Sequence, residues 1–153
     1  MSAPVNHETL VFERRYDAPV GRVFDAFADP QARMRWGAPS PNTGLVYDSV
    51  DFRVGGFDVG RCGPRINMIY AIEVRYLDII PGERIIWTEA VSEAGNALSF
   101  SLITTQFRPE GNHTLLSITD QIVAFGGPRM IAGSREGFSA ALENLHAELR
   151  RAG

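Results

Sequence analysis

The chain has 153 residues, of which 44% are hydrophobic and 22% charged, and its formal net charge at pH 7 is −3. A chain of this length and composition folds as one globular domain, so we expect residues 1–153 to form a single domain rather than a disordered segment. The weakly acidic balance, without a block of like charges, excludes nucleic acid as the main partner, because phosphate binding needs a clustered basic face.

Cysteine, histidine and hydropathy patterns further limit the class of protein that this chain can be. Cys62 is the only cysteine, which excludes an internal disulfide and suits a reducing compartment. The sequence shows neither a secretory signal pattern nor an apolar run of about 18 residues, so we expect a cytoplasmic protein that does not enter a membrane. His7, His113 and His146 lack second ligands at metal-binding spacing. Neither a metal nor another cofactor is therefore expected.

The first third of the chain predicts one strand and two helices. Residues 9–16 alternate imperfectly between apolar and polar side chains, which indicates a strand. Asp17-Ala18-Pro19 is a helix start, and apolar residues from Val20 to Phe27 follow at helical spacing. Asp29-Pro30 ends this helix and begins a short second one that carries Trp36.

The middle of the chain reads as strands separated by glycine and proline. Residues 37–44 predict a loop, and residues 45–54 predict a strand that bends at Gly55-Gly56. Residues 57–59 begin the next strand, and residues 60–64 predict a turn. Asp51 and Arg53 would then share one strand face, either as a polar anchor at a pocket mouth or as a surface charge pair.

Two rows at period two predict which strand faces are buried. The first row is apolar throughout and consists of Ile66, Met68, Tyr70, Ile72, Val74 and Tyr76. After a turn at Pro81-Gly82, the second row consists of Ile85, Trp87, Glu89 and Val91. Both rows are expected to face the interior.

The last third predicts a hairpin followed by a long helix. Residues 98–107 and 114–123 read as strands joined by a loop at 109–112. A helix from Pro128 to Arg151 follows, and its apolar stripe consists of Ile131, Phe138, Leu142, Leu145 and Leu149. The rhythm of strands and turns predicts an antiparallel sheet of seven or nearly seven strands around this helix.

Four segments in this order resemble a known superfamily. They are Tyr16-Asp17-Ala18-Pro19 through Asp29-Pro30 to Trp36, then Asp51–Gly56, Arg75–Ile85, and Thr114–Gln121 with Arg135–Phe138. The chain is similar to the START-like superfamily, also called SRPBCC or the birch-pollen-allergen fold. Within it, the chain most resembles bacterial proteins grouped with the activator of the 90-kDa heat-shock protein ATPase.

The resemblance implies an α+β helix-grip fold. In this fold a curved antiparallel sheet wraps around a long C-terminal helix, and two short helices follow the first strand. It also implies a cavity between sheet and helix that takes an apolar or aromatic small molecule. The side chains expected to line this cavity are Phe24, Phe27, Trp36, Met68, Tyr70, Ile72, Tyr76, Trp87, Phe138 and Leu142. Plain core packing is the alternative role for each of them.

Glu89 and Asp120 are the candidate catalytic residues. Both fall on strand faces whose other members are apolar, so burial would raise their pKa values and suit them to proton transfer. Alternatively, Glu89 contacts water near a strand end and Asp120 forms a local salt bridge. Cys62, beside Arg61, is either an activated nucleophile or an incidental thiol.

Three functions remain open from the sequence. The first is a small-molecule binding domain with a largely apolar internal cavity. The second is a polyketide cyclase-like or hydrolase-like enzyme acting on an apolar or aromatic substrate. The third is a co-chaperone-type protein-interaction domain, which the family resemblance implies and which a chain with no charged extension supports poorly. The fold alone does not choose among them, and the sequence leaves homodimer formation open.

Overall fold

The computed structural model describes residues 4–151. Ten elements follow one another along this range. They are β1 (Val5–Tyr16), α1 (Val20–Ala28), α2 (Pro30–Trp36), β2 (Thr43–Ser49), β3 (Phe57–Pro64), β4 (Tyr70–Ile80), β5 (Arg84–Glu93), β6 (Asn96–Glu110), β7 (His113–Phe125) and α3 (Arg129–Leu149).

The strands form one seven-stranded sheet in the order β1-β7-β6-β5-β4-β3-β2, and every neighbouring pair is antiparallel. Short turns explain this pairing: Ala94 and Gly95, between β5 and β6, both have positive φ, as a two-residue hairpin turn requires. The first strand pairs with the last because α1 and α2 separate β1 from β2. The predicted α+β helix-grip fold, with a curved antiparallel sheet against a long C-terminal helix, is confirmed.

Asp29 and Pro30 set the junction between the two short helices. The backbone N–H of Asp29 donates to Asp25 and ends α1, while the Asp29 side chain accepts from the backbone N–H of Gln31, at 2.9 Å, and caps α2. Pro30 occupies the first turn of α2, where its missing N–H costs nothing. The predicted helix pair is confirmed.

The C-terminal half of α3 is fixed firmly to the rest of the molecule. Leu142 and Leu145 are fully buried, and the Tyr16 hydroxyl donates to the backbone carbonyl of Leu142 at 2.7 Å. Arg35 of α2 donates from Nε and Nη2 to the two carboxylate oxygens of Glu148, each at 2.8 Å. Such a two-point pair fixes orientation as well as distance. The apolar stripe predicted for this helix therefore faces the sheet.

The strand predicted over residues 45–54 is shorter in the structure. β2 ends at Ser49, and Asp51 and Arg53 lie in a turn rather than on one strand. Their side chains form an exposed ion pair of 2.9 Å, which supports the surface-pair interpretation. The bend at Gly55-Gly56 is present: Gly55 has φ 83°, and a Cβ on Gly56 would lie 2.1 Å from the carbonyl oxygen of Asp51.

The turn predicted at residues 60–64 is wrong, because β3 continues through them to Pro64. Gly60 sits there because its backbone lies against β2, where a Cβ would be 2.4 Å from the carbonyl oxygen of Val46. The chain turns after Pro64 instead, and β4 begins only at Tyr70. The inward row therefore does not include Ile66, which is 99% exposed.

Replacing Leu145 with alanine tests the anchoring of α3. The side chain is fully buried, so Leu145→Ala should lower the free energy of unfolding by about 2–5 kcal/mol. Leu102→Ala is the matched control, because Leu102 is 37% exposed and should cost below about 1 kcal/mol. Urea denaturation of both variants measures the difference, and equal costs would contradict this account of the helix.

Candidate functional site

A cavity of about 580 Å³ lies between the concave face of the sheet and α3. Its walls come from α1 and α2, from the strands β2 to β7, and from the N-terminal two thirds of α3. Residues 37–39 and Phe52, which lie outside these elements, also line it. Most of its lining surface is apolar, as is usual for small-molecule sites.

Most side chains predicted to surround a ligand lie on this cavity. Those that line it are Phe27, Trp36, Tyr70, Ile72, Tyr76, Trp87 and Phe138. They come from α1, α2, β4, β5 and α3, so residues distant in sequence meet at one place. The inward face predicted for β4 between Tyr70 and Tyr76, and that predicted for β5, agree with the structure.

Phe24, Met68 and Leu142 are predicted cavity residues that lie elsewhere. Phe24 packs edge-on against Phe52 and Phe107, with ring centroids 6.0 and 5.5 Å away. Met68 precedes β4 and places its terminal methyl group against Gly44. Leu142 is fully enclosed in the core below the cavity. Each contributes to packing rather than to the cavity wall.

Four small residues of α3 leave room in the cavity beside the larger side chains of Met130 and Phe138, which also line it. Gly133, Ser134, Gly137 and Ala141 line the cavity at helical spacing. A Cβ added to Gly133 or Gly137 would meet nothing within 4 Å. Glycine inside a helix costs about 1 kcal/mol relative to alanine. The helix thus carries two unfavourable residues where it covers an open space.

The inner wall of the sheet carries a polar strip in the middle of this apolar surface. Glu89 on β5 lies directly opposite Ser101 on β6, and Asp120 on β7 is opposite Ile103, the next inward residue of β6. Ser99 also lines the cavity, as do the other three polar residues. Two carboxylates therefore face one space across a strand that presents two hydroxyls.

Glu89 is the titratable group most strongly affected by this environment. The pKa of its carboxyl is raised to about 7: burial is the largest cause, the nearby Asp120 carboxylate adds to the rise, and a hydrogen-bonding interaction with the Trp87 side chain acts in the opposite direction. The Glu89 side chain lies deep in the protein, and its accessible surface is intermediate because it borders the cavity. Glu89 can therefore hold or release a proton near neutral pH.

Asp120 is the second carboxylate and is almost completely enclosed, with 3% of its surface exposed. Burial raises its pKa, and an interaction with the Ser101 hydroxyl partly offsets the rise. Its Oδ1 atom is buried and has no hydrogen-bond partner among the described residues. A buried hydrogen-bond acceptor without a donor costs free energy, so a group that donates a hydrogen bond to this oxygen would stabilise the protein.

A second polar cluster lies at the α2 end of the cavity and was missed in the sequence. Arg33 donates from Nη1 to Asp58 at 2.7 Å and to the hydroxyls of Tyr76 and Tyr47 at 3.0 and 3.2 Å, and the Tyr76 hydroxyl donates to Asp58. Asp58 also accepts from the backbone N–H of Asp51 at 2.9 Å. The charges of Arg33 and Asp58 offset each other, so this end is neutral overall. In the sequence, the one sign that Arg33 faces inward is its spacing of three residues from Trp36, which places both side chains on one face of α2.

Cys62 lines the cavity without the features of a nucleophile. Burial raises the pKa of its thiol to about 11, and the Glu89 carboxylate contributes in the same direction. The thiol is therefore protonated at neutral pH, which supports the interpretation of an incidental residue. Among residues 4–151, no group of three or more His, Cys, Asp and Glu side chains is placed to hold a metal ion. Over the same range, no helix is both long and apolar enough to cross a bilayer.

The sheet, the gripped helix and the cavity between them define a helix-grip protein of the START-like class. Residues 17–150 match the family model described as activator of Hsp90 ATPase homolog 1-like protein, and the chain belongs to that family. This confirms the resemblance noted from the sequence segments. Comparison with curated proteins gives no match.

Solved bacterial structures share both the fold and part of the sequence. An uncharacterized protein from Rhizobium leguminosarum is 31% identical, with 99% of this chain and 100% of that chain covered and a TM-score of 0.88. Protein Mll3558 from Rhizobium loti is 34% identical over 95% of this chain and 99% of that chain, with a TM-score of 0.82. Protein CV1439 from Chromobacterium violaceum is 28% identical over 94% and 98%, with a TM-score of 0.83. None of these descriptions names a ligand.

The raised pKa of Glu89 predicts a pH-dependent stability. The folded chain holds the proton up to about pH 7, whereas an unfolded glutamate releases it near 4.5, so the free energy of unfolding should fall as pH rises through this window. Glu89→Gln removes this loss and should gain about 1–3 kcal/mol over the wild type between pH 4.5 and 8.

Urea denaturation across this range measures the gain. Glu93→Gln, at an exposed position of the same strand, is the control and should change nothing. Parallel pH profiles for the wild type and Glu89→Gln would show that the carboxyl is not perturbed.

Proposed function

We propose that the protein binds an apolar or aromatic small molecule in the cavity between the sheet and α3. The observation that carries the proposal is the cavity itself, about 580 Å³ in volume and walled mainly by aromatic and aliphatic side chains. Sites for small organic ligands typically span roughly 300–1,000 Å³ and have this composition. The space suits a molecule of two or three fused rings.

The aromatic side chains of the wall are held in place by contacts with the rest of the protein. Trp36 packs on Phe27 with ring centroids 4.8 Å apart and donates its indole N–H to the carbonyl of Ala26 at 2.9 Å. Phe138 packs on Phe12 at 5.0 Å. Because these side chains are held by the core, little ordering is needed on binding, and each 100 Å² of apolar surface removed from water contributes about 2.5 kcal/mol.

The glycines of α3 support the same proposal. A protein that needed only a stable core would gain from a side chain at Gly137, which is half-buried, has room for a Cβ and lies inside a helix. Gly133 is exposed, and the two glycines together cost about 2 kcal/mol in helix propensity, while Gly137 leaves part of the apolar wall unfilled. An occupant from outside the chain explains both features.

An acid–base enzyme is the second candidate, and the Glu89–Asp120 pair favours it. Two carboxylates facing one cavity, one with a pKa of about 7, can exchange a proton with a bound substrate. This is the property that a cyclase-like or hydrolase-like reaction on an aromatic substrate would use. A co-chaperone role would instead need an outer surface for a large partner, whereas these features lie inside the molecule.

Filling the cavity from α3 tests the binding proposal. Gly137→Leu places a side chain into open space, so it should retain or raise stability and should weaken binding of the neutral dye Nile red about tenfold. Gly21→Leu is the matched control, because Gly21 is a helical glycine with equal room on the exposed side of α1. Fluorescence titration measures the affinities, and unchanged binding by Gly137→Leu would refute the proposed site.

The enzyme candidate is tested separately with naphthyl acetate as substrate. If the wild type hydrolyses it, Glu89→Gln should lower the rate by roughly 10²–10⁴ while dye binding is preserved. Equal rates for the two proteins, or no hydrolysis at all, would count against a hydrolase and leave the binding proposal standing.

A further inference from the structure

The polar strip of the cavity wall holds two carboxyl groups without a cationic partner among the described residues. Glu89 and Asp120 both face the cavity, and none of the ion pairs formed within residues 4–151 includes either one. Asp120 is 3% exposed, and its Oδ1 has no donor in the described structure. A buried carboxylate without a partner must either take up a proton or meet a cation.

The neighbouring elements supply no cation in contact with this pair. Cys62 from β3 and Tyr47 from β2 face Glu89 as a neutral thiol and a neutral phenol. Arg33 from α2 is held by Asp58. Arg129, at the start of α3, lines the cavity but is exposed at its rim. Trp87 on the same strand offers an indole and no charge.

We infer that the cavity takes a primary ammonium ion carried on an apolar or aromatic body, with the ammonium group between Glu89 and Asp120. An ammonium group has three donors, which matches the two carboxylates and a hydroxyl of Ser99 or Ser101. The rings of Trp87 and Tyr70 line the same space and attract a cation through their faces. This inference rests on the proposed function and names the class of ligand for the same site.

The two polar ends of the cavity decide the sign of the ligand's charge. Within residues 4–151, Arg33 Nε and Nη2 also lack partners, which would suit an anion, but Asp58 already neutralises this guanidinium at 2.7 Å. The same part of the chain supplies no such counter-charge to the Glu89–Asp120 end. A cation bound at the Glu89–Asp120 end is therefore stabilised more strongly than an anion bound at the Arg33 end.

The pH dependence of binding follows from the same groups. The ammonium group binds the ionised carboxylate, and in the free protein the pKa of Glu89 is about 7. Affinity should therefore rise with pH, by up to about tenfold per unit below pH 7, and level off above it while the amine stays protonated. A neutral ligand of the same shape should show no such rise.

Three probes with one ring system test the inference by isothermal titration at pH 6 and 8. Naphthylethylamine should bind at least about tenfold more tightly than naphthylethanol at pH 8, and naphthylpropionate should bind most weakly. Glu89→Gln and Asp120→Asn should each reduce the ratio of amine affinity to alcohol affinity. Glu93→Gln removes an equal charge from an exposed site on the same strand and should leave the preference unchanged.

Each other result overturns a defined part of the account. If the alcohol binds as tightly as the amine, the ammonium inference fails and the proposed apolar site stands. If the amine is preferred but neither carboxylate variant alters the preference, the ammonium lies elsewhere and the inference also fails. If none of the three probes binds, both the inference and the proposed function are wrong.

Discussion

The anchoring of α3 at one end is the constraint on which the rest of the structure depends. Leu142 and Leu145 fill the core, Tyr16 holds the Leu142 carbonyl, and Arg35 holds Glu148 at two points. With this half fixed, the N-terminal half of the helix contacts the sheet at its edge, where Phe138 packs on Phe12 of β1. Over the middle strands a space remains between the helix and the sheet. The cavity follows from one helix gripped by a curved sheet.

The two polar clusters on the cavity wall differ in how completely the chain satisfies them. In the Arg33 cluster the counter-charge is Asp58, and two tyrosine hydroxyls accept further hydrogen bonds from Arg33. These contacts join α2 to β2, β3 and β4. Removing either charge would leave the other buried alone, so this cluster has a structural role. The Glu89–Asp120 pair joins only strands that are already hydrogen-bonded neighbours of β6. It adds nothing to the connectivity of the fold and costs desolvation energy, so the fold gives no structural reason for placing two carboxyls there.

Regular alternation made part of this site predictable. The rows Tyr70–Tyr76 and Ile85–Val91 repeat at period two, and strand geometry then places Glu89 inside without further information. On β3 the same logic fails, because the apolar residues Phe57 and Val59 are 42% and 38% exposed while Asp58 is fully buried. Its inner face is polar because Arg33 reaches it from α2, a contact between residues 25 positions apart. Nothing in the local sequence separates Arg33 from Arg35, which faces the other way to Glu148.

The position of Cys62 gives the unmodified protein an internal reporter. The chain has one cysteine, and its thiol sits on the wall of the cavity, on β3, which β4 separates from the strand that carries Glu89. A thiol held protonated by its surroundings reacts slowly with alkylating reagents, and a molecule lying over it would slow the reaction further. The rate of alkylation at this single atom thus measures occupancy directly, and in a cell extract the mass of the labelled chain would show whether the cavity was already filled.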